Sequence, residues 1–241
     1  MSVQKLTDLQ VVFLGTAGSI PTPKRSLPAV ALLRRGELLL FDCGEGTQRQ
    51  MIQAKAGFHR RTKVFITHMH GDHVLGLPGL LQTMALQDRE RELEIYGPPG
   101  IRAFIEAVRK TVQFALTFPV KIFEIEGSGL VCEEKEYTIR AVWADHAIPS
   151  LAYAFVEKPR PGRFHPDKAL SLGIPEGPLW SKLQRGLAIT LPNGRTVHPE
   201  EIVGPPRPGR KIVYAGDTRA SKDVIKLAEG ADLLIHEATF D

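Results

Sequence analysis

The chain has 241 residues, 43% of them hydrophobic and 24% charged, a balance that excludes a disordered tail or a fibrous repeat. Its length suits one large domain or two closely packed ones, and we expect a single domain over residues 1–241 carrying an insertion. The first ten residues have no apolar core behind a basic start and the longest apolar runs are strand-sized, so the expectation is a cytoplasmic protein with no membrane attachment.

Taken in chain order, residues 9–15 are rich in β-branched and aromatic types and end at a glycine, which reads as a buried strand. A loop with three prolines and Arg25 follows. Residues 29–33 and 37–42 make two strands joined across Arg35 and Gly36 as a tight hairpin. Residues 46–56 read as a helix, 63–67 as a short strand and 74–87 as a leucine-rich helix. Further on, 93–96, 137–143 and 151–156 are strands and 99–112 is a helix with its proline near the start. The stretch 157–209 differs: it is rich in proline and glycine, with one helical piece at 180–184 and an Asn193-Gly194 turn between two short strands. Residues 211–215 resume a strand ending in Gly216-Asp217, a helix covers 221–229, and 232–235 is a last strand leading to His236. Strands and helices alternate, so the fold class is α/β (α+β). The two cysteines, Cys43 and Cys132, lack C-x-x-C spacing and read as reduced, structural residues.

Three of the eight histidines fall within six residues, in T-H-M-H-G-D-H, immediately after the strand at 63–67. A lone histidine there would read as a loop residue; four donors at this spacing read as a metal site. His68 and His70, two apart in an extended segment, face the same way and can hold one metal. Gly71 lets the backbone turn and presents Asp72 and His73 to a second position. Imidazole with carboxylate suits zinc or a similar metal such as manganese, rather than calcium. Two further strand ends deliver candidate ligands, His146 in A-D-H and Asp217 in A-G-D-T, although Asp217 before Thr-Arg would also serve as an ordinary helix start.

H-M-H-G-D-H, D-H, G-D-T and H-E-A-T, with F-L-G-T at Phe13 and F-D-C-G-E-G-T-Q at Phe41, together resemble the tRNase Z family of the metallo-β-lactamase superfamily over nearly the whole chain. The resemblance implies a four-layer αβ/βα metallo-β-lactamase sandwich with an inserted flexible arm, and two zinc ions per subunit. It implies cleavage of precursor tRNA on the 3′ side of the discriminator nucleotide, leaving a 3′-hydroxyl on the tRNA and a 5′-phosphate on the trailer. By position, His68, His70 and His146 would hold one zinc, Asp72 and His73 the other, and Asp217 would bridge them, with Asp72 also the proton acceptor. Asp42 would orient a ligand, His236 and Glu237 would lie beside the cleavage site, and Arg25 would belong to the loop that senses the RNA 3′ end. The usual Arg-Asn pair of that loop is Arg25-Ser26 here, which leaves discrimination against mature CCA ends open.

The stretch 157–209, with G-P-L-W at 177–180, matches the family's tRNA-binding arm. From 157 to 211 ten basic residues stand against five acidic ones, while the net charge of the chain is +4. On charge alone this could be a solvated loop; the resemblance favours phosphate contacts to a tRNA elbow. The family also implies a homodimer. Its pattern continues past H-E-A-T-F to an H-S-T motif and a last metal-binding histidine, which we expect to lie beyond Asp241. The metal motif alone also fits a hydrolase of small phosphodiesters, thioesters or lactams, and the unmatched terminal motifs fit an inactive RNA-binding form.

Overall fold

A computed structural model describes residues 8–239; the first seven residues, on which part of the no-leader reading rests, and Phe240 of H-E-A-T-F lie outside the described residues. The described residues form two compact units, one of residues 8–133, 139–155 and 212–239, the other of 134–138 and 156–211.

In the first unit a six-stranded sheet runs β1 (Gln10–Gly15), β2 (Ala29–Arg34), β3 (Glu37–Phe41), β4 (Arg61–Phe65), β5 (Leu93–Gly97), β6 (Val120–Glu124). Pairing is antiparallel through β3 and parallel from β3 to β6. The unbroken apolar run of β3 suits a strand covered on both faces, and Leu38, Leu39 and Leu40 are all fully buried. Each such leucine contributes roughly 1.5–3 kcal/mol, which outweighs local propensity and holds β3 at the centre. Arg35 and Gly36 both take positive φ, 42° and 84°, as a two-residue hairpin of this hand requires. The first strand was expected to be buried; it is instead the sheet's edge, and Phe13 is 54% exposed.

One face of this sheet is covered by α1 (Thr47–Gln53), α3 (Gly76–Leu86) and α4 (Ile101–Thr111), whose Met51, Leu77, Leu80, Leu81, Met84, Ile101 and Ile105 join Leu38, Leu40, Val64 and Ile95 in one core. The other face carries an aromatic row across four registered strands, Phe41, Phe65, Tyr96 and Phe123, with successive ring centroids 5.3, 5.0 and 4.8 Å apart. Tyr153 and Tyr214 meet this row from the second sheet, at 6.1 and 5.8 Å from the ring of Phe41. That second sheet has the order β13 (Leu233–Ile235), β12 (Lys211–Tyr214), β9 (Leu151–Glu157), β8 (Tyr137–Trp143), β7 (Gly129–Glu133). Val224 of α8 (Lys222–Ala228) packs with Ala152 and Ala215 of that sheet and its flank. The layers therefore run helices, sheet, sheet, helix, as the family resemblance implied.

The helix read at 74–87 starts earlier and is broken: α2 (Gly71–Val74) stops at Leu75 and α3 restarts at Gly76. A Cβ at Gly76 would lie 1.9 Å from the Gly44 carbonyl, and its N–H donates to the Cys43 carbonyl at 2.9 Å, so the helix backbone is pressed against the turn after β3. Pro78, in the first turn of α3, has no need of an intrahelical acceptor there. Two strands were not read from the sequence: β6, where charged and apolar residues interleave, and β7, whose apolar run is only Leu130 to Cys132; both lie at sheet edges.

The second unit is more ordered than a proline- and glycine-rich insertion suggested. It holds α5 (Pro166–Ser171), α6 (Pro178–Gln184), the β10 (Ile189–Thr190) and β11 (Thr196–Val197) hairpin, and α7 (Pro199–Ile202). Only α6 and the hairpin were expected. Ala169, Ile174, Leu183, Ile189, Leu191, Val197 and Ile202 form its own small core, flanked by Phe164 and Trp180. Each of its helices begins at a proline, which presets φ for a first turn and explains why so proline-rich a stretch is helical. Cys43 and Cys132 form no disulfide, and burial pushes the Cys43 thiol up to about 12, leaving it chemically inert.

Candidate metal centre

Side chains from several strand ends converge where β3, β4, β8 and β12 finish. His68 and His70 follow β4, His73 sits on α2, His146 follows β8, and Asp217 follows β12. Two sets of donors result, His68 with His70 and His146, and His68 with His73 and Asp217; within each, the ligand atoms lie within 4.8 Å of one another. The Nε2 of His146 is 3.1 Å from Nδ1 of His70. The Nε2 of His73 is 3.5 Å from both Asp72 Oδ2 and Asp217 Oδ1.

Local structure explains these positions. His70, with extended backbone, occupies the N-cap position of α2 without a side-chain cap bond, so Asp72 and His73 project from a first helical turn rather than from a glycine bend. Gly71 is helical, and a Cβ there would come within 2.9 Å of Leu75 Cδ1. Asp217 does not cap a helix; Ser221 does, accepting from Val224 N–H. At Gly216, φ is +62° and a Cβ would meet the Thr67 side chain at 2.8 Å, so the β12 end can approach β4 only with glycine there.

Beneath these donors lies Asp42, fully buried and at φ 56°, a left-handed conformation that aspartate tolerates better than most residues. It accepts from the Thr67 N–H at 2.7 Å, from Nδ1 of His73 at 2.7 Å and from the Tyr214 hydroxyl at 2.9 Å. The Thr67 hydroxyl reaches both Asp42 oxygens, at 3.0 and 2.9 Å, and stands 2.9 Å from Nδ1 of His68. A hydroxyl that donates to a carboxylate can only accept from the imidazole, so Nδ1 of His68 carries the hydrogen. Both imidazoles thus present Nε2 to the cluster, and those two buried nitrogens have no hydrogen-bond partner among the described residues. Buried, convergent ring nitrogens that make no hydrogen bond and face carboxylates fit a metal ion.

Electrostatics agree. Burial opposes protonation of His73, but the Asp42 and Asp217 carboxylates outweigh it and push the imidazole up to about 10. His68 moves the other way, to about 4, first through burial and then through the charge on His73. Asp217 is held below the ordinary carboxylate range, chiefly by His73. One proton on His73 stands where a cation would be bound.

Of the residues singled out in the sequence, His68, His70, His73, His146 and Asp217 are brought together, Asp72 lies at their rim, and Asp42 lies beneath. Glu237 accepts from the Thr218 N–H at 2.6 Å, one residue from Asp217. His236 is exposed, its Nδ1 2.8 Å from the Glu237 carbonyl, and Arg25 is exposed in a turn closed by Thr22. Thr67 and Tyr214 had no assigned role; the threonine was visible as the residue leading the histidine motif, whereas Tyr214 comes from 172 positions away.

Residues 9–107 match a family model described as anti-Pycsar protein Apyc1. Among solved structures the chain resembles the human tRNase Z short form, at 34% identity and a TM-score of 0.70, covering 96% of this chain and 78% of that one. It also shares the fold of the metallo-β-lactamase fold protein YhfI from Bacillus subtilis, at 18% identity and a TM-score of 0.61, covering 96% and 71%. It is 49% identical to ribonuclease Z of Methanosarcina acetivorans over 232 residues, 96% of this chain and 75% of that protein. With ribonuclease Z of Myxococcus xanthus it shares 48% over 233 residues, again 96% and 75%. The metal-ligand motifs, the layered fold and relatives at this identity and coverage agree, and the chain belongs to the ribonuclease Z family.

Proposed function

We propose that the protein is a metal-dependent endoribonuclease that cuts precursor tRNA on the 3′ side of the discriminator nucleotide. The observation that carries this reading is the pair of buried Nε2 atoms of His68 and His73, neither with a hydrogen bond among the described residues and the second facing two carboxylates at 3.5 Å, at the junction of two donor sets in a chain of the ribonuclease Z family. In our assignment two zinc ions are bound per subunit, with manganese as the alternative metal. His68, His70 and His146 would hold one and Asp72 and His73 the other, with Asp217 a carboxylate available to both. Bound in this way, the metals supply Lewis-acid stabilisation of negative charge on the phosphoryl oxygens and lower the pKa of water.

The chain's own groups do the rest. We assign the proton of the attacking water to Asp72, a choice supported by its 14% exposure and its place beside His73. Water oxygen bonds to phosphorus, the bond from phosphorus to the 3′ oxygen breaks, and that oxygen takes a proton. The tRNA keeps a 3′-hydroxyl and the trailer a 5′-phosphate. Asp42, Thr67 and Tyr214 keep His68 and His73 in the ligating tautomer. In the second unit the exposed side chains of Arg163, Lys168, Lys182 and Arg185 are the phosphate contacts we assign to the tRNA elbow. The protein acts as a cytoplasmic homodimer in this reading; none of the described helices is long and apolar enough to cross a membrane.

The test is incubation of the purified protein, with zinc, with a 3′-extended tRNA precursor. A single cut after the discriminator, lost on chelation and restored by zinc, is expected. An intact precursor under zinc-replete conditions would overturn the assignment.

A further inference from the structure

Next to the metal centre lies a cleft of about 490 Å³ lined by Pro99, Glu126, Trp143, Ile148, Pro149 and Ser150, together with His146 and the alanines beside it. We propose that this cleft is a nucleobase subsite, seating the base of a nucleotide that flanks the scissile phosphate, with Trp143 as its stacking surface. The proposal rests on the ribonuclease reading above.

Position comes first. His146 lines the cleft and also belongs to the first histidine set, so a chain whose phosphate lies at the metal centre has the cleft beside it. Chemistry comes next. The walls are mostly tryptophan, proline, isoleucine and alanine, and the lining holds one carboxylate and no lysine or arginine. A phosphate would meet Glu126 with like charge and no cation to offset it. A base offers flat apolar faces to Trp143 and the prolines, and an amino or ring N–H on its edge can donate to the Glu126 carboxylate. Stacking on an aromatic side chain tolerates every base, which suits an enzyme acting on many precursors.

The walls are also fixed to the catalytic segments. Ala144 N–H donates to the Ser150 carbonyl at 2.8 Å, closing the loop that carries His146, and Leu151 N–H donates to the Thr67 carbonyl at 2.9 Å. Trp143 N–H donates to the Ser128 hydroxyl at 3.2 Å, and the Ser150 hydroxyl to the Asp217 carbonyl at 3.4 Å. The stacking surface and the metal ligands therefore keep one register, and a base seated in the cleft sets where its phosphate falls. Trp143 is in this sense a specificity-determining residue.

The experiment compares the protein with Trp143→Ala and Trp143→Phe on three precursors: intact, abasic at the discriminator, and abasic at the first trailer nucleotide. We expect one abasic position to lower kcat/KM of the unaltered protein by roughly ten- to a hundredfold, and that position names the seated base. Trp143→Ala should show a similar loss on the intact precursor and no further loss on that abasic one, with unchanged metal content; Trp143→Phe should recover most of the rate. Independent, multiplying losses from the variant and the abasic site, or a Trp143→Ala protein as fast as the original, would overturn the subsite. Should the unaltered protein leave the intact precursor uncut, the ribonuclease reading fails instead. The subsite is then judged by quenching of Trp143 emission in a Trp180→Phe background: an oligoribonucleotide should quench and its abasic counterpart should not, and equal quenching by both would overturn it.

Discussion

Asp42 accepts from Nδ1 of His73 at 2.7 Å and, through the Thr67 hydroxyl, also fixes the hydrogen on Nδ1 of His68. A single buried carboxylate therefore sets which ring nitrogen two imidazoles turn to the cluster, that of His68, which belongs to both donor sets, and that of His73, which belongs to one, and this makes the two sets interdependent.

Asp42→Asn tests that dependence. The amide would place a donor where His73 and Tyr214 both need an acceptor, and an unmade buried hydrogen bond costs about 1–3 kcal/mol. We expect metal affinity to fall by roughly ten- to a hundredfold, while the far-ultraviolet circular dichroism stays that of the original protein. Wild-type affinity measured by competition with a chromophoric chelator would remove Asp42 from this role.

Metal loading should release protons. The fold raises His73 from 6.5 to about 10, so the metal-free protein holds that proton more tightly than the unfolded chain does. This contribution to stability is complete below pH 6.5 and is lost as pH rises through about 10. Between those values a metal at Nε2 must displace the proton, and loading at about pH 7.5 should release about one proton through His73. Calorimetry in buffers of different ionisation enthalpy reads this directly; an unchanged apparent enthalpy across buffers contradicts it.

Asp72→Ala removes the carboxylate to which both a metal-ligand and a proton-acceptor role are assigned above. Cleavage should fall by on the order of a hundred- to ten-thousandfold. Asp72→Asn, which retains an oxygen for the metal, should regain metal content without regaining the rate. Full activity in Asp72→Asn would place the proton acceptor elsewhere.

Neutralising Arg163, Lys168, Lys182 and Arg185 should weaken tRNA binding and flatten its dependence on salt by about one unit of slope for each phosphate that is no longer neutralised. Arg195 and Arg210 are excluded from the set, since Glu201 at 2.9 Å and Glu157 at 2.7 Å already neutralise them. Binding isotherms over a salt series provide the measurement, and an unchanged slope would rule out this surface.

Gly76→Ala probes how the centre is built. The added Cβ would fall 1.9 Å from the Gly44 carbonyl, backbone against backbone, so α3 must shift and carry α2 with it. Thermal unfolding should reveal a loss of about 1–3 kcal/mol, typical of overpacking, together with weakened metal binding. A variant as stable and as well loaded as the original would show that this approach can relax.

Much of the site was legible from residues alone, because ligands on one short segment must keep a fixed spacing and the other ligands follow strand ends. T-H-M-H-G-D-H, A-D-H and A-G-D-T announce five converging donors without any knowledge of the fold. The apolar periodicity likewise located the central strands and the Arg35-Gly36 hairpin, since burial on both faces and positive φ leave compositional marks. Composition misled where local pattern and packing part company. The edge strand β1 reads as buried because its residues favour strands, and the second unit reads as loose because prolines that start helices look like breakers.

Other features were decided only by tertiary structure, since the partners are distant in sequence and ordinary in kind. Nothing in K-I-V-Y foretells that Tyr214 donates to Asp42 across 172 positions, or that Trp143, Pro99 and Pro149 would frame a cleft beside His146. The sequence by itself determined which side chains could bind a metal. Only the packing of two sheets through their aromatic row decided which nitrogens face inward and what lies beside them.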